Sequence, residues 1–325
     1  MHSIRRRAVL ALGAAGALAP LGSAFAQANW PDKPIRIINP YAPGGIADLA
    51  ARIIQPGLES GLGQPIIIES KPGASGSLGT EYVARSAPDG YTLLLALAAP
   101  QTLNQFIFKV NYDGLKDFAP IALLNTNPLV LMAHPSLPVR TVKELITYAK
   151  KNPGKLNFAG AGGLTQFAGE IFKYMAGVDM VHIRYKGGAP AVAAAVAGDV
   201  QLTFANFSDA LTWMRSGRLR AIALTSAKRF AQAPDVPTIA ESGLPGYDVN
   251  GWSGLVAPAG TPPAVVDRIA KVLQKDFKDP AMDKHWETVG AEPGNADPAA
   301  FTAMIRSDMQ KWSDFVKRTG IKVES

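Results

Sequence analysis

Hydrophobic positions along this chain alternate between two periods, and the alternation predicts the fold. Ile35 to Asn39 (IRIIN) is a short β-branched run suited to a buried strand. Pro40 and Pro43 stop the ladder, and Gly44-Gly45 permits a tight turn. Ile46, Leu49, Ala50, Ile53 and Ile54 then recur at helical spacing. Pro56-Gly57 predicts a kink or an early stop in that helix. Pro65 to Glu69 reads as a second strand, the glycine-rich turn 71–77 leads into a helix through Arg85, and Tyr91 to Leu97 reads as a third strand.

The device repeats further on. Ile121 to Leu124 and Leu129 to His134 are apolar runs, and Thr141-Val142-Lys143-Glu144 is a capping box opening a helix to Lys151. Leu156 to Ala159 feeds Gly160-Ala161-Gly162-Gly163 and a helix from Thr165. Strand Val181 to Tyr185 feeds Lys186-Gly187-Gly188 and a helix to Ala197. Val200 to Ala205 feeds a helix start at Asn206, Phe207 and Ser208, and Arg220 to Thr225 closes this part. Gly251 to Val256 is another strand. Thr261-Pro262-Pro263, Asp279-Pro280 and Asp297-Pro298 each give the start signal of a C-terminal helix. Phe301, Met304, Ile305, Trp312, Phe315 and Val316 form the apolar stripe of the last one. Strands alternating with helices predict an α/β fold with parallel sheets and ligand-facing loops at the strand C-termini. No linker or low-complexity tract divides the chain, so two lobes joined by crossing strands are expected.

Composition narrows the function classes. The chain has 325 residues, 47% hydrophobic and 18% charged, a size for about two domains. It has no cysteine, which removes disulfides, thiolate metal sites and cysteine nucleophiles. Arg5-Arg6-Arg7, the apolar run Ala8 to Leu18 and the small-residue site Ala24-Phe25-Ala26 form an export signal over residues 1–26, of Sec or twin-arginine type, cleaved near Ala26. The mature protein is therefore expected in a bacterial periplasm. Losing those three arginines lowers the formal charge from +7 to +4, with the remaining cations scattered, so no nucleic-acid partner is expected.

Candidate chemistry centres on the glycine turns. A strand, a glycine turn and a helix N-terminus bring free N–H groups and a positive dipole end to one small volume, which suits an anion. The pattern at Gly44-Gly45 is neither of the nucleotide-phosphate glycine motifs, and taken alone such a pattern is more often a plain βα turn. An exported hydrolase is the enzyme alternative. The mature chain, however, has only His134, His182 and His285, no G-x-S-x-G elbow, no H-E-x-x-H motif, and no evident base for Ser75 or Ser77. His182 lies in a β-branched run and reads as a packed strand residue.

Long motifs then carry a family resemblance over nearly the whole mature chain. PYAPGGIADLAARI, KPGASGSLGTEYVARSAPDGYTLLLA, HPSLPVRTVKELITYAKKNPGKLNFAG, HIRYKGGAPAVAAAVAGDVQLTF, PDVPTIAESGLPGYDVNGW and GLVAPAGTPPAVV resemble the Bug family. These are TctC-like solute receptors of tripartite tricarboxylate transporters. The resemblance implies a type II periplasmic binding protein, with two Rossmann-like lobes closing over a central cleft. Lobe 1 would be 27–127 plus 251–325, and lobe 2 would be 128–250. It implies a receptor, not an enzyme, that captures a small carboxylate by hinge closure. The ligand would be a di- or tricarboxylate, an aromatic acid or an acidic amino acid. The implied partners are the transporter's membrane subunits; a monomer without cofactor or metal is expected. Feeding a sensor kinase is an output that sequence does not separate from transport.

By position, the resemblance assigns ligand contact to Tyr41, Pro43, Gly44, Gly45, Ile46, Ala47 and Asp48 in lobe 1. In lobe 2 it assigns Tyr185, Lys186, Gly187 and Gly188. Gln101, Thr102 and Ser253 are candidates to set specificity, together with Thr165, Gln166, Arg184, Asn206 and Ser208 in lobe 2, and Ser75 is a further candidate for ligand contact. Asp48 either complements the helix dipole or pairs with a ligand ammonium. Lys186 either attracts a carboxylate or is solvated. Tyr41, Phe207 and Trp252 pack either against ligand or in the core. Arg184 stands where the family commonly has proline; it either clamps a second carboxylate or faces solvent on a strand edge. Gln166, Ala205 and Ser253 also depart from the family pattern, as does the short loop 160–166, and these changes would reshape the pocket.

Overall fold

A computed structural model describes residues 30–320 as a mixed α/β protein; the export signal expected over residues 1–26 lies outside the described residues. Ten strands form one sheet in two halves. In the first half β1 (Ile35–Asn39) runs parallel to β2 (Ile66–Ser70) and β3 (Thr92–Leu97), connected through α1 (Ile46–Leu62) and α2 (Ser77–Ala84). In the second, β5 (Asn157–Gly160) runs parallel to β6 (Val181–Arg184) and β7 (Leu202–Asn206), connected through α5 (Gly163–Ala176) and α6 (Gly188–Ala197). Helices on both faces explain why the central strands read as apolar runs instead of alternating ones.

The halves share β4 (Phe118–Ala133). Sequence predicts two strands here, whereas the structure has one of 16 residues. Its first part pairs antiparallel with β9 (Asn250–Pro258), from Phe118 opposite Pro258 to Pro128 opposite Asn250. Its last part pairs with β7, from Leu129 opposite Asn206, and with β8 (Arg220–Leu224). The polar stretch Asn125 to Pro128 mimics a break, yet Asn125 and Asn127 are buried inside the sheet, and register shifts absorb the irregularity. A short β10 (Glu292–Asn295) also pairs with β4; its sequence, EPGN, reads as a turn.

Other boundaries show which local rule prevailed. Of the kink or early stop expected at Pro56-Gly57, the stop does not occur: helix α1 continues through Pro56. Pro56 is exposed, and Gly57 marks the closest approach of α8 (Pro263–Asp276), where a Cβ would run into the Asp276 carboxylate. Thr261 does not cap α8: Pro262 holds that position, and Thr261 Oγ1 donates to the Pro258 carbonyl at 2.8 Å. The capping box of α4 (Val142–Lys151) is present, with Thr141 Oγ1 accepting from Glu144 N at 3.2 Å. Asp279 and Asp297 cap α9 (Pro280–Thr288) and α10 (Pro298–Thr319).

Helix α10 does not stay with one half. Phe301 and Ile305 are buried with Trp252 and Leu94 in the first half. Trp312 and Phe315, two to three turns later, pack edge-on to Phe167 of α5, at 5.5 and 5.8 Å between ring centres.

Candidate functional site

The first turn of α1 has Gly45 at its N-cap and no side-chain cap. Gly44 takes φ 90°, and a Cβ built on Gly44 or Gly45 would meet nothing within 4 Å, so the turn faces open space. An uncapped helix start leaves its first N–H groups free to bind an anion. One nearby amide is already engaged. Asp48 Oδ2 accepts from Gly44 N at 3.2 Å and from Arg52 Nε at 3.0 Å, and the Asp48 side chain is buried. Pro43 is exposed, Ile46 half-buried, and Ala47 belongs to the core under α1.

Beside this turn lies a strained one. Gly73, Ala74, Ser75 and Gly76 have φ of 138°, 47°, 53° and 88° in succession. The left-handed conformation costs a non-glycine residue about 1–2 kcal/mol, so two such residues persist only where neighbours hold them. The grip is on the Ser75 carbonyl, which accepts from Tyr41 Oη at 2.9 Å and from Asn104 Nδ2 at 3.0 Å. Burial raises the pKa of the Tyr41 phenol, which keeps it a donor.

The second half meets this corner through the turn ahead of α5. A Cβ built on Gly162 would lie 3.6 Å from Ser75 Oγ, 3.6 Å from Arg184 Nε and 3.7 Å from Arg184 Nη2. One on Gly163 would lie 3.6 Å from Ala99 Cβ and 3.8 Å from Tyr41 Oη. Thr165 Oγ1 fastens the turn, accepting from Ala161 N at 2.9 Å and donating to the Gly162 carbonyl at 3.0 Å, with Gln166 buried beside it. The two-residue period of β6 sorts its side chains. Ile183 and Tyr185 pack in the core with α6 and α7 (Phe207–Arg215). His182 and Arg184 alternate to the α5 side, the His182 ring 5.0 Å from that of Phe158. Burial, with the charges of Arg184 and Lys173 adding to it, lowers the His182 pKa to about 4, so the ring is neutral at pH 7.

The α6 end differs. Gly187 caps it without a side-chain bond, but a Cβ on Gly188 would collide with the Asp209 carboxylate. Asp209 Oδ2 accepts from Asn206 Nδ2 at 3.3 Å, and burial raises its pKa. Lys186 is exposed, with no hydrogen bond or ion pair among the described residues. Nothing of Gly187-Gly188 lies within 4 Å of a Cβ built on Gly44 or Gly45. Among the described residues the halves meet at Gly162-Gly163, at the point where Gly290 packs on Phe207 and Ser208, and along α10, whose Trp312 and Phe315 pack on Phe167.

Three expected residues make their hydrogen bonds within the first half. Gln101 Nε2 donates to the Gly114 carbonyl, Thr102 Oγ1 donates to the Ala98 carbonyl at 2.7 Å, and Ser253 Oγ accepts from Asn125 Nδ2 at 2.5 Å. All three are fully buried within their own half. Trp252 donates from Nε1 to Asp308 Oδ2 at 2.8 Å and stacks edge-on to Phe301, and Phe207 packs on Phe230, so both are core. Sequence reasoning marked the loop 160–166 as short without assigning contact to Gly162 or Gly163, and passed over Asn104 and Asp209. The paired glycines were the available signal for the first two; Asn104 and Asp209 gave none, because their roles arise from distant packing. Two surface depressions, of about 330 and about 250 Å³, lie against α4 and beside Pro128 and Asn250 at the end of the β4–β9 pairing, away from the glycine turns. Among the described residues no cluster of His, Asp and Glu could hold a metal ion, and no helix is long and apolar enough to cross a membrane.

Residues 50–321 match the family described as tripartite tricarboxylate transporter family receptor, TctC. Bordetella pertussis BugT is 33% identical over the full length of both chains. The Rhodopseudomonas palustris protein Rpa4515, solved with adipate, superposes with a TM-score of 0.83 at 31% identity, covering 90% of this chain and 99% of that one. MatC from the same organism, solved with bound malate, gives 0.81 at 30% identity, over 88% of this chain and all of that one. With its two-lobed α/β fold and these matches, the chain belongs to the TctC family of tripartite tricarboxylate transporter receptors.

Proposed function

We propose that this protein is a periplasmic receptor that captures a small carboxylate between its lobes and delivers it to the membrane subunits of a tripartite tricarboxylate transporter. The observation that carries the reading is the uncapped start of α1, open at Gly44-Gly45 and flanked by the Tyr41–Ser75 corner that faces the second half. A carboxylate accepts from such amides, and closure onto it is favoured by as much as the closed form binds it better. Adipate and malate in two relatives support a carboxylate ligand. The lobes would be 27–127 with 251–325, and 128–250, a division supported by the change of β4 partners at Pro128 and Leu129. The end of α10 packs across onto the second lobe.

The test is a thermal-shift panel of mono-, di- and tricarboxylates, aromatic acids, amino acids, and neutral sugars as controls. An acid at a hundredfold its dissociation constant stabilises by about 2.7 kcal/mol, raising Tm by roughly 4 °C for a chain of this size. Shifts with sugars and none with acids would overturn the reading.

A further inference from the structure

We propose that the outer face of α4, with the depression beside it, is a docking surface for an anionic phospholipid bilayer, and that Lys143 and Lys151 grip a lipid phosphate there. The face belongs to the second half and lies away from the glycine turns, so the proposal does not depend on which solute the protein takes.

Cations are scattered along the sequence, but their excess is not. Residues 140–155 carry five cations, Arg140, Lys143, Lys150, Lys151 and Lys155, and one acid, Glu144. That local excess of +4 equals the formal charge of the whole mature chain, so the remainder balances to zero. All five cations are exposed, and none has an ion pair among the described residues. Glu144 is held at the helix start, where its Oε2 accepts from Arg140 N at 2.6 Å. Asp179, whose carboxylate lies 3.2 Å from a Cβ built on Gly154, faces only the far end of the run. Lys150 and Lys151 complement the dipole of α4 at its C-terminus. Arg140 and Lys143 stand at the opposite end, where a cation is unfavourable, so the dipole does not account for them.

The helical period turns Val142, Leu145 and Ala149 inward and Lys143, Thr147, Lys150 and Lys151 outward. Beside that stripe the depression of about 330 Å³ is lined by Pro138, Lys143, Glu144, Thr147, Tyr148 and Lys151. The two lysine backbones are about 12 Å apart along the helix axis. Between them the Tyr148 hydroxyl has no hydrogen bond among the described residues. Two ammonium groups and a phenol donor suit the charged oxygens of a phosphodiester. A bilayer fits this face better than a protein does. Protein interfaces are anchored by aromatic and apolar side chains and are poor in lysine. The large apolar side chains exposed among the described residues, Ile67, Leu78, Tyr82, Tyr174 and Val181, all lie off α4. Clustered lysines hold an anionic lipid surface through charge alone.

The test is co-sedimentation of the mature protein with vesicles of phosphatidylcholine alone and of phosphatidylcholine mixed with phosphatidylglycerol. The anionic vesicles should hold the protein at about 50 mM salt and release it by about 500 mM, where the screening length falls to roughly 4 Å. A cation near such a surface is worth about fivefold in binding, so Lys143→Gln combined with Lys151→Gln should weaken it about 10- to 30-fold. Lys271→Gln combined with Lys284→Gln removes the same charge from α8 and α9, and should weaken it by less than about threefold. All four lysines are exposed, so both variants should fold, which circular dichroism checks. No binding to the anionic vesicles, equal binding to both kinds, or equal losses in the two double variants would overturn the proposal. Binding only to vesicles that carry the transporter's membrane subunits would also overturn it, and would assign the face to an acidic protein surface. None of these outcomes bears on the carboxylate reading.

Discussion

Replacing Asp48 with alanine should make this protein less stable and, at the same time, a better receptor for acids. The side chain is buried, and its Oδ2 takes the Gly44 N–H at 3.2 Å and Arg52 Nε at 3.0 Å. Removing a side-chain acceptor at a helix start costs about 1 kcal/mol, and losing its favourable dipole interaction roughly 0.5 more. The ion pair adds only about 0.3–0.5 kcal/mol, because the Arg52 side chain is 59% exposed. The sum, about 2 kcal/mol, lowers Tm by roughly 3 °C in a chain of this length. On the binding side, the variant frees the Gly44 N–H and removes a negative charge from beside the α1 end. For a carboxylate arriving roughly 6 Å away, at an effective dielectric of about 40, the relieved repulsion is about 1 kcal/mol after Arg52 is taken into account, or roughly fivefold in affinity. Calorimetry with the best acid from the panel, alongside differential scanning fluorimetry of the free protein, reads both quantities. Weaker acid binding by the variant would refute the reasoning and make Asp48 a partner of a cationic group on the ligand.

Two further outcomes follow from the same geometry. The neutral His182, with a folded pKa of about 4 against 6.5 unfolded, gives stability that is present above the unfolded value. It is lost as the pH falls, because the unfolded ring takes up a proton first; discounted for partial solvation, the loss is about 1–2 kcal/mol. Urea midpoints at pH 7 and pH 4.5 should therefore differ more for the wild type than for His182→Phe, and equal differences would assign the loss to another group. Trp252→Phe deletes the 2.8 Å bond to Asp308 and should cost about 1–2 kcal/mol. Acid affinity should hold within twofold; a stable variant with lost affinity would instead put the indole in the cleft.

How much was legible in the sequence depended on the range of the interaction. Capping at Thr141, Asp279 and Asp297 is decided within four residues, and the structure shows all three. Thr261 has the same local credentials, but Pro262 occupies the cap and leaves its hydroxyl to the Pro258 carbonyl. Pro56 looked like a stop because proline removes a helical hydrogen bond, yet packing of α1 on α8 outweighs that local cost. The α1 turn is legible because strand, glycines and helix are contiguous. The Ser75–Gly162–Arg184 corner is not, since it joins three elements from two halves, and neither a strained Ser75 nor the handedness of β6 is written in composition. Gln101, Thr102 and Ser253 show a further limit of range: their hydrogen bonds, to the Gly114 and Ala98 carbonyls and with Asn125, are set by packing that composition does not display.

The shared strand β4 also decides how this molecule can come apart. The first part of β4 pairs with β9 in one half-sheet and its last part with β7 and β8 in the other, so the halves are joined by continuous strand backbone inside the sheet as well as by α10, which packs on both. The two halves therefore form one cooperative unit, and heat or urea should dissolve them together in a single transition. Pro128, at the junction, has no amide proton to lose, so the same strand can flex there without giving up a ladder bond of its own.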